Sequence, residues 1–414
     1  MSEKSMKRLL MVAYHFPPLA GSSGIQRTLR FARYLPEYGW QPVVLTANPR
    51  AYPQVSGDQL SDIPEGIEVI RAPAWDTSRH FAIAGRYPGF LSRPDRWLSW
   101  WPGGLWFGMR AVRKLKPVAI WSSYPIATAH LIGASLARHS GLPWIADFRD
   151  PMAQPGYPAD AATWRSFDRI EKAAVSQARF STFTTPSAAR IYRERYPQYA
   201  ERISLLENGY DEETFADLVP GEPLNPGQLT MLHSGIVYPS ERDPTRMFEA
   251  LALLKKARPD LYTRIRVRFR APVHDVLLNQ LGDHFGVGEV IEILPAIGYR
   301  DALKEMLCAD GLLILQAANC NAQIPAKLYE YLRAGRPMLV LADPGGDTAQ
   351  AARAAGLSAI APLDDAQAIA ALFRRFVAEP QVGTLAESDA VVAASRRERS
   401  RQLATLFGQA TGAT

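Results

Sequence analysis

The chain has 414 residues, 47% of them hydrophobic, which is too many for a single hydrophobic core to serve and too apolar for disorder, so two compact domains are expected. Its net charge of +6 hides an excess of 11 positive charges over residues 1–200 and of 5 negative charges over residues 201–414. A basic first half suits an anionic surface or a phosphate-bearing acceptor, and the near-neutral second half argues against a nucleic-acid binder coated all round with positive charge.

In chain order, basic residues precede a run of about six apolar residues that stops at His15 and two prolines, a strand in place of a signal peptide. A helix is expected over Ser23–Tyr38, with Ile25, Leu29, Ala32 and Leu35 on one face and Arg27, Arg30 and Arg33 off it. Strands are expected at 42–46, 67–72, 118–123 and 143–148, with a helix after the fourth of the five so far. A Gly, Pro and acidic stretch at 208–228 has no period and is expected to be the linker. The alternation restarts with strands at 229–235, 264–271, 290–294, 311–315 and 337–342, with helices between, one from Asp243 and one running through Glu330. Strand then helix, repeated, means a parallel sheet. The expected fold is α/β, with two Rossmann-like doubly wound domains at 1–207 and 229–384, and 385–414 forming closing helices that can pack back on the first domain. No segment approaches the roughly eighteen apolar residues of a spanning helix. Cys308 and Cys320 have no paired spacing and read as reduced packing residues.

Chemistry concentrates where strands end. Gly21, Ser22, Ser23 and Gly24 fill the first strand-to-helix turn, where free N–H groups can meet an oxyanion; an ordinary turn is the alternative, since the spacing is not G-x-G-x-x-G. In "LHSGIVYPSERDP", Gly235 and Arg242 repeat that arrangement, a flexible loop with one cation for a diphosphate, unless Arg242 is a solvated surface charge. In "QIPAKLYEYLRAGRPMLVL", Pro325 can start a helix that sets Lys327 and Glu330 on one face. A carboxylate there matches the paired hydroxyls of a ribose and the lysine a phosphate, with an i, i+3 salt bridge equally open. "PWIADFRDP" puts Asp147, Arg149 and Asp150 at the ligand end of a buried strand, or makes them a cap or a pair holding the loop. His15 and His233 end the first strand of each domain, as substrate contacts or as structural histidines. Trp97, Trp100 and Trp101 stand among arginines, which suits a lipid interface or, alternatively, a core between strands. Without D-x-D, H-E-x-x-H or G-x-S-x-G, metal-dependent and serine-hydrolase chemistries have no anchor, and no metal is expected.

These stretches, with "FPPLAGSSGIQR" and "ENGYD", resemble glycosyltransferase family 4, retaining enzymes of the GT-B fold that often build bacterial cell-surface polysaccharides. The resemblance covers nearly the whole chain. It implies two domains facing a cleft, a UDP- or GDP-sugar donor, no cofactor, and a glycan or polyprenyl-linked acceptor. Reduced cysteines suit a cytoplasmic protein, and the tryptophans among arginines suit peripheral contact with the anionic inner face of the plasma membrane through Trp97, Trp100 and Trp101. Donor contacts would come from Gly21, Gly24, His233, Gly235, Arg242, Lys327 and Glu330. His15 and Arg149 would lie on the acceptor side. Catalysis would fall to Asp150, Asp147, Arg242 and Lys327, with Arg149 and Asp150 matching the family's His-Asp pair. Glu330 matches the second glutamate of the E-x7-E motif, whereas the first is replaced by Ala322. That gap leaves open a catalytically silent nucleotide-sugar-binding subunit, and the same fold admits a nucleotide-sugar epimerase. A dehydrogenase with two Rossmann domains would want a full dinucleotide fingerprint.

Overall fold

The computed structural model of the chain describes residues 6–22 and 24–412; Ser23 of the first glycine turn lies outside them. The chain forms two compact units, residues 1–208 with 396–414, and residues 209–395.

The first unit is built on seven parallel strands: β1 (Lys7–Ala13), β2 (Trp40–Ala47), β3 (Glu68–Ala72), β4 (Ala119–Ser123), β5 (Trp144–Arg149), β6 (Phe180–Phe183) and β7 (Ile203–Leu205), in the order β3-β2-β1-β4-β5-β6-β7. The central strands are covered on both faces, which is why they read as unbroken apolar runs: Leu9, Leu10, Met11 and Val12 are all fully buried. β6 and β7 escape sequence reading because "FSTF" and "ISL" are short and half polar.

The first helix, Gly24–Tyr34, ends before Tyr38 because Pro36 cannot continue it, and a 3-10 turn over Leu35–Tyr38 follows. Its arginines correct the expected pattern. Arg27 and Arg30 are buried at 4% and 6% exposure, each drawn inward by polar partners, Asp147 and Asp62. The tryptophans need a correction as well. Trp100 is fully buried in the core, and Trp97 packs 4.6 Å from the Tyr14 ring while its Nε1 donates to the Ala51 carbonyl at 3.0 Å. Trp100 has no surface to offer a membrane and Trp97 is half-buried; of the three, Trp101 is the most exposed.

The last helix, Arg396–Thr411, belongs to this first unit. It buries Leu403 and Phe407 against Trp40, and Arg399 pairs with Glu207 at 2.6 Å.

The second unit holds six parallel strands: β8 (Leu229–Ser234), β9 (Ile265–Arg270), β10 (Ile291–Leu294), β11 (Gly311–Gln316), β12 (Met338–Ala342) and β13 (Ile360–Ala361), in the order β10-β9-β8-β11-β12-β13. Residues 209–228 lie with this unit, where Tyr210 and Phe215 are buried in one of its hydrophobic clusters. In both sheets the strand order reverses beside the first strand, between β1 and β4 and between β8 and β11. Such a switch leaves a crevice at the carboxyl ends of those strands.

Candidate functional site

In the second unit, β8 delivers its chain to Gly235, whose φ of 124° a side chain rarely adopts. A Cβ there would lie 2.1 Å from the Lys327 ammonium. The loop from β8 and the helix Lys327–Ala334 thus meet face to face, and a side chain at 235 would push the lysine from its present position. Burial lowers the Lys327 pKa, Glu330 draws it back up, and the Arg242 charge lowers it further. Arg242 is tethered by one bond, Nη1 to the Ile236 carbonyl at 2.9 Å, and stacks 5.3 Å from the Tyr238 ring, with its buried Nε unpartnered. Among the described residues neither cation has an ion pair. Lys327 and Arg242 thus stand near each other as two like charges, with Glu330 close to the lysine but not ion-paired to it.

His233 adds no third charge. Its Nδ1 bonds the Leu313 carbonyl at 2.9 Å, and burial, with the nearby Lys327 charge, lowers its pKa to about 3, so it is neutral. Its Nε2 is buried without a partner. Glu330, one turn past Lys327, is half-buried and accepts from the Tyr299 hydroxyl at 2.9 Å. Sequence gave no signal for Tyr299, which opens the helix after β10. The structure therefore brings together Gly235, Arg242, Lys327, His233 and Glu330.

In the first unit the carboxyl end of β5 is irregular: its register with β6 shifts between Asp147 and Arg149, and Arg149 has φ 62°. Its guanidinium meets His15 at Gly24. A Cβ on Gly24 would lie 2.5 Å from His15 Nδ1 and 2.9 Å from Arg149 Nη1, so the start of the first helix closes over both. Burial, then the Arg149 charge, hold the His15 pKa down to about 4. Asp150 follows Arg149 at the exposed rim, yet crowding by surrounding protein pushes its carboxyl above the usual range against the pull of Arg149. Gly21 does not join this group; it turns at φ 73° against Gln54.

Asp147 corrects the expectation of a catalytic carboxylate. It is fully buried, takes Arg27 Nε and Nη2 at 2.8 and 2.7 Å, and accepts from Ser123 and Thr182 at 3.0 and 2.8 Å. Burial would raise its pKa, but Arg27 outweighs it and the net shift is downward. With its lone pairs occupied and no path to solvent, Asp147 holds the loop. Arg27 is the residue that sequence missed, and an arginine one step from an apolar helix face is the signal that was there to read.

Residues 23–209 match the family model of the glycosyl transferase 4-like domain. The match lies almost wholly within the first unit. No curated protein matches the sequence significantly. Among solved structures, the chain resembles a sucrose-phosphate synthase from Thermosynechococcus elongatus (14% identity, TM-score 0.65, covering 99% of this chain and 100% of that one). It also resembles HepE from Anabaena in complex with UDP (12%, 0.65, 98% and 100%) and a UDP-N-acetylglucosamine 2-epimerase (12%, 0.54, 99% and 98%). The domain match and the two doubly wound parallel sheets bear out the GT-B fold and the family 4 type expected from the motifs. Among the described residues, no cluster of three metal-ligating side chains occurs and no helix is long and apolar enough to cross a membrane.

Proposed function

We propose that the chain is a retaining glycosyltransferase that moves a sugar from a UDP-sugar, with a GDP-sugar as the alternative donor, to a glycan or polyprenyl-linked acceptor in the building of a surface polysaccharide. The observation that carries this reading is the pair of unmatched cations, Lys327 and Arg242, beside Gly235 and one helical turn from Glu330. A nucleoside diphosphate fits that order of groups: phosphates on the two cations, ribose hydroxyls on the carboxylate. The choice of uridine is supported by HepE, whose structures hold UDP and UDP-glucose.

When the bond to the sugar loosens, negative charge gathers on the leaving diphosphate, and Lys327 and Arg242 are placed to stabilise it without a metal ion. On the first unit, Asp150 and neutral His15 offer acceptors for the proton of the attacking hydroxyl, and Arg149 steadies the resulting charge. Asp147 acts only through the loop it holds. A silent nucleotide-binding subunit is the second reading, favoured by Ala322 in place of a carboxylate. Release of UDP from a UDP-sugar in the presence of acceptor decides between the two.

Binding calorimetry tests the site itself. Lys327→Ala and Arg242→Ala should each weaken UDP by about 1.5–3 kcal/mol and leave uridine nearly untouched, because their charge is aimed at phosphate. Equal losses for both ligands would remove the assignment. Glu330→Ala should weaken uridine and UDP alike by about 1.5–3 kcal/mol. Unchanged uridine affinity in that folded variant would reduce Glu330 to the partner of Tyr299.

A further inference from the structure

The stretch from Arg96 to Ala146 contains six Arg and Lys residues and no Asp or Glu. Much of it forms two packed helices, Trp100–Leu115 and Ala127–Ser140. The inner side of the first is set by Trp100, Gly104, Gly108 and Ala111, all buried. The two glycines bring it close to its neighbour: a Cβ would lie 2.5 Å from Ile132 Cδ1 at Gly104 and 2.7 Å from Leu136 Cδ2 at Gly108. With that side fixed, helical spacing turns the opposite residues outward. Toward the N-terminus Trp106 is 59% exposed, flanked by the half-buried Leu105 and Met109, and toward the C-terminus the exposed residues are basic, Arg110, Arg113 and Lys114. Together they line an open groove of about 800 Å³.

A second groove, of about 500 Å³, adjoins it at the amino ends of β5 and β6, where Arg138, Arg179 and Arg202 converge. The two share the end of the Ala127–Ser140 helix, His139 lining the first and Arg138 the second. Neither groove is lined by a carboxylate. Among the described residues none of these arginines, nor Lys114, has an ion pair.

We infer that this face of the first unit docks on an anionic lipid bilayer, with Trp106 entering the headgroup layer and the basic residues meeting lipid phosphates. A bilayer answers both halves of the surface, since its interface takes tryptophan and aliphatic side chains while its charge attracts the cations. A polynucleotide would satisfy the cations but offer no apolar layer to the exposed Trp106 and its half-buried neighbours Leu105 and Met109. The residues involved differ from the Trp97 and Trp100 expected from sequence, which face inward. The inference is read from the first unit alone and does not rest on the proposed sugar transfer.

Sedimentation of the full chain with vesicles tests it. The protein should pellet with phosphatidylcholine vesicles containing phosphatidylglycerol at low salt, be released at high salt, and ignore phosphatidylcholine alone. The triple variant Arg110→Glu, Arg113→Glu, Lys114→Glu should bind about a hundredfold more weakly. Trp106→Ala, which opens no core cavity, should lose binding several-fold while melting at the wild-type temperature. Failure to pellet with anionic vesicles at low salt, or undiminished binding by both variants, would overturn the inference. Retention on double-stranded DNA without vesicle binding would equally overturn it, making the face a polynucleotide site.

Discussion

Asp147→Ala should cost the first unit about 3–5 kcal/mol, the usual result of removing one member of a buried ion pair. The loss comes less from the missing attraction than from the charge left behind. Arg27 is 4% exposed, and without the carboxylate its guanidinium keeps only the Leu206 and Glu207 carbonyls and the Asn208 side chain, at 2.9, 3.1 and 3.3 Å. Ser123 and Thr182 lose their acceptor in the same step. Removing both charges together, in Arg27→Leu with Asp147→Leu, should be less damaging than the sum of the single changes, because no uncompensated ion remains. Urea unfolding of these variants beside wild type reads the differences directly. If Asp147→Ala unfolds like wild type yet abolishes turnover, the carboxylate belongs to the chemistry after all.

Acid should weaken both units well before the carboxylates protonate. His130 and His233 are buried, and burial lowers each pKa from 6.5 to about 3; the charge of Asp147 opposes the shift at His130, whereas Lys327 adds to it at His233. The sign follows from proton counting. Above pH 6.5 each ring is neutral folded or unfolded and the full stability is present. As pH falls below 6.5 the unfolded chain takes up a proton that the folded one refuses, so stability drops until the folded pKa near 3 is reached. At pH 5 the loss is about 2 kcal/mol for each histidine. Unfolding free energies measured at pH 7 and pH 5 should therefore diverge, and His130→Phe should make the dependence of its own unit shallower. A flat profile between those values, or an NMR titration of either ring near 6.5 in the folded protein, would show that burial does not control it.

The central strands read plainly because continuous apolar runs such as "LLMV" and "GLLIL" can serve little else than a strand covered on both sides, whereas β3, β9 and β10, also located, are only partly buried. β6, β7 and β13 stayed hidden because four, three and two residues are too few to show a period. The second-unit site was legible because Gly235, Arg242, Lys327 and Glu330 lie at strand and helix ends, where chain order already says which side chains can converge. The first-unit site was legible only in part. Asp147 and Arg149 sit two residues apart at one strand end, yet one is sealed in the core and the other meets His15. The difference is made by Arg27, 120 positions away in the chain, and by a shift in register, neither of which has a local signature. The tryptophans failed for a related reason. In a run as rich as "RWLSWWPGGLWF" composition announces an interface or a core, and only the close approach of Gly104 and Gly108 to the next helix decides which tryptophan goes where.

The return of the last helix to the first unit has a consequence for biosynthesis. On the ribosome the seven strands of that unit emerge early, but the helix that covers Trp40 and Leu9 is translated only after all of residues 209–395. At about 5–20 residues per second, the apolar face awaiting Phe407 stays uncovered for roughly ten seconds or more, while the inserted second unit is free to fold ahead of its host. The nascent first unit should therefore keep that apolar face exposed throughout the interval, and a chain stopped at Asn208 should keep it exposed thereafter.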